Sequence, residues 1–171
     1  SAADVGRVTR ISGVHGRYVA FLKHTFPETL TLEGLRIVVD CANGAAYSVA
    51  PNVFEELGAE VYALGVQPNG RNINDGCGST APGLLQLTVP GVRAAAGIAL
   101  DGDGDRLVMV DGLGRIVDGD QLIYIIATAR KRAGILQGPV VGTVMSNLGL
   151  EVALRQQGID DRVARWRRRG R

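Results

Sequence analysis

Residues 96–111 read AGIALDGDGDRLVMVD, and this stretch sets the framework of the fold. Two short apolar runs, 96–100 and 107–110, are bounded by glycine and aspartate, which is the pattern of short β-strands. Between them, three aspartates alternate with glycines. The segment therefore predicts a strand, an acidic loop and a second strand.

An alternation of strands and helices precedes this segment. The predicted elements are a strand at 35–41 (LRIVVDC), a helix at 44–57, a strand at 60–66, a long loop at 67–82 and a helix at 83–95. The loop is rich in Gly, Asn and Asp, which stabilise turns. Pro51 lacks a backbone donor, so the helix is expected to kink or restart there.

The same alternation continues after residue 111. The predicted elements are a turn at 111–114, a short continuation to Val117, a helix from its cap Asp118 to Gly134, a strand at 140–144, and a helix at 147–157 that Ser146 caps and Gly158 ends. No helix or strand is predicted beyond Ile159. The whole pattern predicts an α/β fold with a mixed, partly parallel sheet and flanking helices.

Composition narrows the class of protein. The chain has 171 residues, 46% of them hydrophobic, which suffices for a buried core. Six of the 19 basic residues lie in the last ten positions, so the rest of the chain is mildly acidic and nucleic-acid binding is not expected. Without a signal peptide, a membrane-length apolar run or a close cysteine pair, we expect a cytoplasmic protein that does not bind membranes.

The acidic loop carries the strongest chemical signal. Asp101, Asp103 and Asp105 place three carboxylates within five residues, where they repel one another unless a cation neutralises them. Ligands that are all oxygen atoms favour a hard cation such as Mg²⁺. Arg106 adds a positive fork that suits a phosphate shared with the metal. The residues predict a metal site with a phosphoryl group beside it.

Three other kinds of acidic loop share features of this sequence. A surface Asp-Gly turn with solvated side chains is the common alternative, but the loop lies between two strands, where α/β sheets bind ligands. A calcium EF-hand fails, because Arg106 and Gly112 stand where it needs glycine and an acid. A phosphatase with an aspartate nucleophile stays open.

Longer segments resemble the α-D-phosphohexomutase family. Residues 97–127 resemble its metal-binding region, and the segments 38–47, 72–80 and 144–159 resemble other parts of it in the same order. The resemblance implies the end of domain one at 1–10, the metal-binding domain two at 11–115, a truncated start of domain three at 116–159, and an arginine-rich tail outside the family at 160–171. One departure is Ala81, where the family usually has histidine.

The resemblance also implies a function. It is strongest to the branch of the family that interconverts glucosamine 6-phosphate and glucosamine 1-phosphate, on the route to UDP-N-acetylglucosamine and cell-wall precursors, by means of a phosphoserine. By this resemblance, Asp101, Asp103 and Asp105 hold Mg²⁺, while Arg106 binds the phosphoryl group.

No catalytic residue is assigned, because no serine here lies in the family's Ser-His-Asn-Pro motif. The chain is therefore expected to be inactive alone, with a hexosamine phosphate as substrate of the complete enzyme and an open oligomeric state. The alternatives are the same reaction on glucose or mannose phosphates, and a metal-binding module without catalysis.

Overall fold

A computed structural model describes residues 6, 8, 9 and 11–164 of the chain. Its contacts divide the protein into two compact units, Ser1–Ile116 and Val117–Arg171. The arginines from position 165 onward and most of the predicted end of domain one lie outside the described residues. In the part of the chain that is described, no helix combines the length and apolar character needed to cross a bilayer.

The first unit is built on a mixed sheet. Its elements are α1 (Val14–Lys23), β1 (Arg36–Asp40), α2 (Val49–Glu56), β2 (Glu60–Leu64), α3 (Gly83–Gly91), β3 (Ala96–Leu100) and β4 (Leu107–Asp111), and β5 (Ile116–Val117) lies at the boundary between the units. The strand order is β2-β1-β3-β4-β5. Strand β1 runs parallel to β2 and β3, whereas β3 and β4 are antiparallel. The predicted α/β fold with a partly parallel sheet is confirmed.

Strand β1 is the centre of the first unit. Val38 points to a cluster that includes Leu85 and Val89 of α3, while Ile37 and Val39 belong to a cluster on the other face with Ala50 and Phe54 of α2. Helices thus cover both faces of this strand, which explains why its sequence is continuously apolar rather than alternating. Asp40, the last residue of β1, therefore lies at the carboxyl edge of the sheet.

The second unit contains helices and a short parallel sheet. Its elements are α4 (Gly119–Arg132), β6 (Val140–Thr143), α5 (Leu148–Gln156) and β7 (Asp161–Ala164). Strands β6 and β7 are parallel. Ala127 of α4 packs with Leu150 and Leu154 of α5 and with Ile159 to form the core of this unit. The unit therefore has its own apolar core.

Helix α2 begins later than the sequence predicted. It starts at Val49 rather than at residue 44, since Ala42 and Asn43 both take positive φ angles and the chain turns until residue 48. Pro51 is then the third residue of the helix, where backbone N–H groups have no partner within the helix. The expected kink at Pro51 was wrong, because this proline lies in the first turn.

Two predictions in the second unit also need correction. The cap of α5 is Asn147, whose side chain accepts from the N–H of Leu150 at 2.9 Å, and not Ser146, whose Oγ accepts from the N–H of Thr143. The prediction that no element follows Ile159 was wrong, because β7 begins two residues later at Asp161. Its four residues carry no clear alternation, and their backbone pairing with β6 defines the strand. At α4, the predicted cap Asp118 is confirmed and forms a capping box with Gln121.

Candidate metal centre

The acidic loop follows β3 directly at the carboxyl edge of the sheet. Asp101, Asp103 and Asp105 can each supply an oxygen such that the three atoms lie within 4.8 Å of one another. Asp101 is fully buried, whereas Asp103 and Asp105 are exposed. One carboxylate is therefore fixed inside the protein, and the other two approach it from the solvent side.

Arg106 holds the buried carboxylate in place. Its backbone N–H donates to Oδ1 of Asp101 at 3.0 Å, and its Nε donates to Oδ2 at 2.6 Å. Burial would raise the pKa of Asp101, but these hydrogen bonds and the positive charge of Arg106 outweigh it and lower the pKa to about 2. Asp101 is consequently ionised throughout the neutral range.

The two exposed carboxylates experience mutual repulsion. The charge of Asp103 raises the pKa of Asp105, and the nearby Asp101 adds to the effect. Arg106 Nε lies 3.6 Å from Asp105 Oδ1, so the guanidinium compensates only part of this negative charge. A cation bound among the three groups would relieve the repulsion that remains.

The oxygens that face one another fit a hard cation. An ionised carboxylate offers about four lone-pair positions, and the two bonds from Arg106 use two of those on Asp101. Lone pairs thus remain on Asp101 in addition to those on its two neighbours. A set of carboxylate oxygens suits Mg²⁺, Mn²⁺ or Ca²⁺ rather than a metal that prefers sulfur or imidazole. The triad could therefore bind a divalent metal.

Glycines allow the loop to take this shape. Gly104 has a φ of +73°, a left-handed conformation that glycine adopts without steric cost. At Gly102, a β-carbon would lie 2.5 Å from Cδ1 of Ile73, so a larger residue fits only if the side chains of Ile73 and Asn74 move. Glycine is therefore favoured at position 104 by the backbone angle and at position 102 by the nearby side chains.

Two other loops pack against the acidic loop. The N–H of Ala45 donates to the carbonyl of Gly102 at 2.7 Å, and the N–H of Ser79 donates to that of Leu100 at 2.9 Å. A β-carbon on Gly44 would overlap the same Gly102 oxygen. The sequence predicted that Gly44 begins a helix, whereas in the structure Gly44 allows the close backbone contact with Gly102.

Sequence reasoning missed one buried charge at this edge. Asp40 ends β1, and its side chain is completely inaccessible to solvent. Its Oδ1 accepts from the N–H of Ala42 at 2.9 Å and its Oδ2 from the N–H of Gly78 at 2.8 Å. The only signal in the sequence was an acidic residue at the end of an apolar strand, and the partner at position 78 could not be inferred from spacing.

Comparison with known proteins shows the family of this chain. The family described as phosphoglucomutase/phosphomannomutase, alpha/beta/alpha domain II, matches residues 16–114, which is more than half of the chain. The chain belongs to the phosphoglucomutase/phosphomannomutase family. Domain III of the same family matches residues 118–165, a range that includes α4, β6, α5 and β7.

Relatives within the phosphoglucomutase/phosphomannomutase family are much longer than this chain. A phosphoglucosamine mutase from Chromobacterium violaceum is 58% identical over 156 residues, which are 91% of this chain and 35% of the relative. One from Aeromonas salmonicida is 58% identical over 158 residues, with shares of 92% and 36%. The chain thus spans about a third of the length of these relatives.

A solved structure has the same fold. It is a phosphoglucomutase/phosphomannomutase family protein from Burkholderia thailandensis, which superimposes with a TM-score of 0.72 at 26% sequence identity. The match covers 88% of this chain and 32% of that protein. The metal-binding role of the triad and the phosphoryl-binding role of Arg106 remain predictions, and both are consistent with membership of this family.

Proposed function

We propose that these residues form the metal-binding part of a Mg²⁺-dependent phosphoglucosamine mutase, which interconverts glucosamine 6-phosphate and glucosamine 1-phosphate. The observation that carries the proposal is the convergence of three carboxylates within 4.8 Å at the end of β3, with Arg106 beside them. The choice of sugar rests on relatives at 57–58% identity that are named phosphoglucosamine mutase. The proposed location is the cytoplasm, in keeping with two free thiols.

Asp101, Asp103 and Asp105 would hold the Mg²⁺ ion. When bound, the ion neutralises negative charge on a phosphoryl group, which is the main requirement of phosphoryl transfer. Asp101 provides a preorganised ligand, because burial and two hydrogen bonds fix its orientation. The two exposed aspartates can adjust to the ion from the solvent side.

Arg106 would bind the phosphoryl oxygens next to the metal. Its side chain is 67% exposed. Among the described residues, its side-chain hydrogen bond uses only Nε. The terminal nitrogens can then form charge-assisted hydrogen bonds with a phosphate while Nε continues to orient Asp101. The residue thereby joins the metal ligand to the proposed substrate group.

The phosphoserine that the family uses as phosphoryl donor has no counterpart among the serines of this sequence, none of which lies in a Ser-His-Asn-Pro motif. We therefore expect the 171 residues to bind metal without catalysing the interconversion alone. A mutase assay of this chain with glucose 1,6-bisphosphate or its glucosamine equivalent tests that expectation. Turnover above background would contradict it.

Metal binding can be measured directly on this chain. Titration with Mn²⁺, followed by calorimetry or by the electron paramagnetic resonance signal of the free ion, should give one site, and Asp103→Asn should weaken it by at least about tenfold because ligand charge sets the affinity. Asp111→Asn is the matched control, since Asp111 accepts hydrogen bonds in a turn at the opposite end of β4. Equal affinity in the wild type and Asp103→Asn would refute the metal assignment.

The catalytic role requires the rest of an enzyme. A chimera can be made in which residues of this chain replace the matched 35% of the Chromobacterium violaceum phosphoglucosamine mutase. It should interconvert the glucosamine phosphates, and Asp103→Asn should lower its kcat by about 100-fold or more. A folded chimera that binds Mn²⁺ yet has no activity would favour the alternative of a non-catalytic metal-binding module.

A further inference from the structure

We propose that Asp40 is a positioning residue for the aspartate loop. Its buried carboxylate ties together the two segments that hold the loop from either side, so the triad is already arranged when a cation arrives. The inference rests on the metal site of the proposed function. It adds a residue 61 positions before Asp101 that makes no direct hydrogen bond to the triad.

The first step is the bonding of Asp40 itself. Its side chain has no solvent-accessible surface, and each oxygen accepts one backbone N–H, from Ala42 at 2.9 Å and from Gly78 at 2.8 Å. Within the described residues, Asp40 forms no ion pair. A buried carboxylate without a cationic partner is costly, so these two charge-assisted bonds hold both segments firmly against it.

The second step links the held segments to the metal loop. The segment around Gly78 continues to Ser79, whose N–H donates to the carbonyl of Leu100, the residue just before Asp101. The segment that begins at Ala42 continues to Ala45, whose N–H donates to the carbonyl of Gly102, the residue just after Asp101. The backbone on both sides of Asp101 is therefore fixed by segments that converge on Asp40.

The segments around Asp40 are closely packed. A β-carbon on Gly65 would lie 2.6 Å from Oδ1 of Asp40, and one on Gly78 would lie 2.5 Å from both Cβ of Ala42 and the oxygen of Leu100. The segments touch one another through backbone atoms, so a shift of one is transmitted to the next. This packing explains how a carboxylate outside the triad can set the positions of its ligands.

The position of the loop matters because its carboxylates repel one another. Without a tie, the loop would relax outward and separate them, and the binding of an ion would have to reverse that movement. Asp40 reduces this cost by holding the backbone in the arrangement required for binding. If Asp40 contributed only to global stability, its substitution would leave the metal affinity of the folded protein unchanged.

Asp40→Asn tests the proposal with almost unchanged volume. A side-chain amide has one acceptor oxygen and an NH2 group that only donates, so one of the two backbone N–H groups loses its bond. We expect the Kd for Mn²⁺ to rise about tenfold, as is common when a residue that orients metal ligands without contacting the metal is substituted. We also expect faster amide exchange at Ser79 and Ala45 in the metal-free protein. Asp111→Asn is the control, because it also removes a carboxylate that accepts backbone hydrogen bonds, but in the turn that follows β4.

A pair of glycine substitutions tests the same tie while retaining the charge of Asp40. Gly78 and Gly76 both have left-handed backbone, with φ of +74° and +64°, so alanine adds similar backbone strain at either position. Only Gly78 is in close contact, since a β-carbon on Gly76 meets no atom within 4 Å. Gly78→Ala should weaken Mn²⁺ binding by about tenfold, while Gly76→Ala should leave it near the wild-type value.

The outcomes separate this inference from the proposed function. If the wild type binds no Mn²⁺, the metal assignment fails, and exchange at Ser79 and Ala45 still decides whether Asp40 holds the loop. Unchanged exchange and unchanged Mn²⁺ affinity in Asp40→Asn would overturn the inference. If Asp40→Asn does not fold, equal Mn²⁺ affinities in Gly78→Ala and Gly76→Ala would overturn it.

Discussion

Arg106 has two opposite effects on the buried carboxylate of Asp101. Its Nε donates to Asp101 at 2.6 Å and orients the ligand, yet its positive charge opposes a cation at the same place. In Arg106→Gln the charge is lost, whereas the backbone N–H at position 106 still donates to Asp101. We expect Mn²⁺ affinity to rise roughly threefold to tenfold, on the scale of one charge near the surface. Titration of both proteins at the same ionic strength measures this change.

The contrary result for Arg106→Gln would also be informative. Weaker Mn²⁺ binding would mean that orientation of Asp101 by the side chain outweighs charge repulsion. Arg115→Gln is the matched control, because Arg115 forms a similar bond with Asp111 at the far end of β4. It should leave Mn²⁺ affinity unchanged.

The two thiols near the metal loop should be unreactive. Burial raises the pKa of Cys41 to about 12, with a smaller contribution from the charge of Asp40, and burial also raises the pKa of Cys77. At pH 8 only roughly one Cys41 side chain in ten thousand would be a thiolate, the form that attacks disulfide reagents. Native protein should react slowly with Ellman's reagent, and both thiols should react in urea. A fast native reaction that Cys77→Ser abolishes would contradict this expectation for Cys77.

At the residue scale, the sequence predicted what lies close together along the chain. Asp101, Asp103, Asp105 and Arg106 were found because six consecutive positions contain the whole cluster. The role of Asp40 was missed because one of its partners is the backbone N–H of Gly78, which carries no side-chain signal. The burial of Cys77 could not be inferred either, because this thiol lies in a loop rich in polar residues and is nevertheless almost fully inaccessible.

Capping shows how the sequence defines the start of an element. Asp118 accepts from the N–H of Gln121 at 2.8 Å, and the Gln121 side chain accepts from the N–H of Asp118 at 2.9 Å. Asp118→Ala removes the first of these bonds and should lower the free energy of unfolding of the second unit by about 1 kcal/mol. Amide exchange in α4 measures this change. The control is Asp160→Ala, which removes an exposed carboxylate; an equal loss there would show that charge, not capping, is responsible.

At the element scale, strands and their order along the chain followed from apolar runs, but boundaries depended on tertiary contacts. The late start of α2 is set by the close approach of Gly44 to Gly102, which keeps the preceding residues in turns. Strand β7 exists because β6 offers a parallel partner, a condition that a four-residue window cannot reveal. Local pattern thus predicts the type of element, while its first residue depends on the packing of distant segments.

At the scale of the whole molecule, the candidate metal centre lies within one unit. All three carboxylates, Arg106 and Asp40 belong to the first unit, whose sheet connects them through β1 and β3. A cation that binds only the folded state must therefore stabilise this unit. With Mn²⁺ at about 100 times its Kd, the expected gain in free energy of unfolding is about 2.7 kcal/mol.

Exchange of the buried amides of β1 and β3 measures that gain, since Val38 and Ala99 have no accessible surface and report opening of the core. The gain should disappear in Asp103→Asn, which removes a ligand, and persist in Asp111→Asn, which removes a carboxylate from a turn. Asp40→Asn should need more Mn²⁺ to reach the same gain, because affinity is weaker while the site still exists. Full protection in Asp103→Asn would place the ion elsewhere and would contradict the triad as its site.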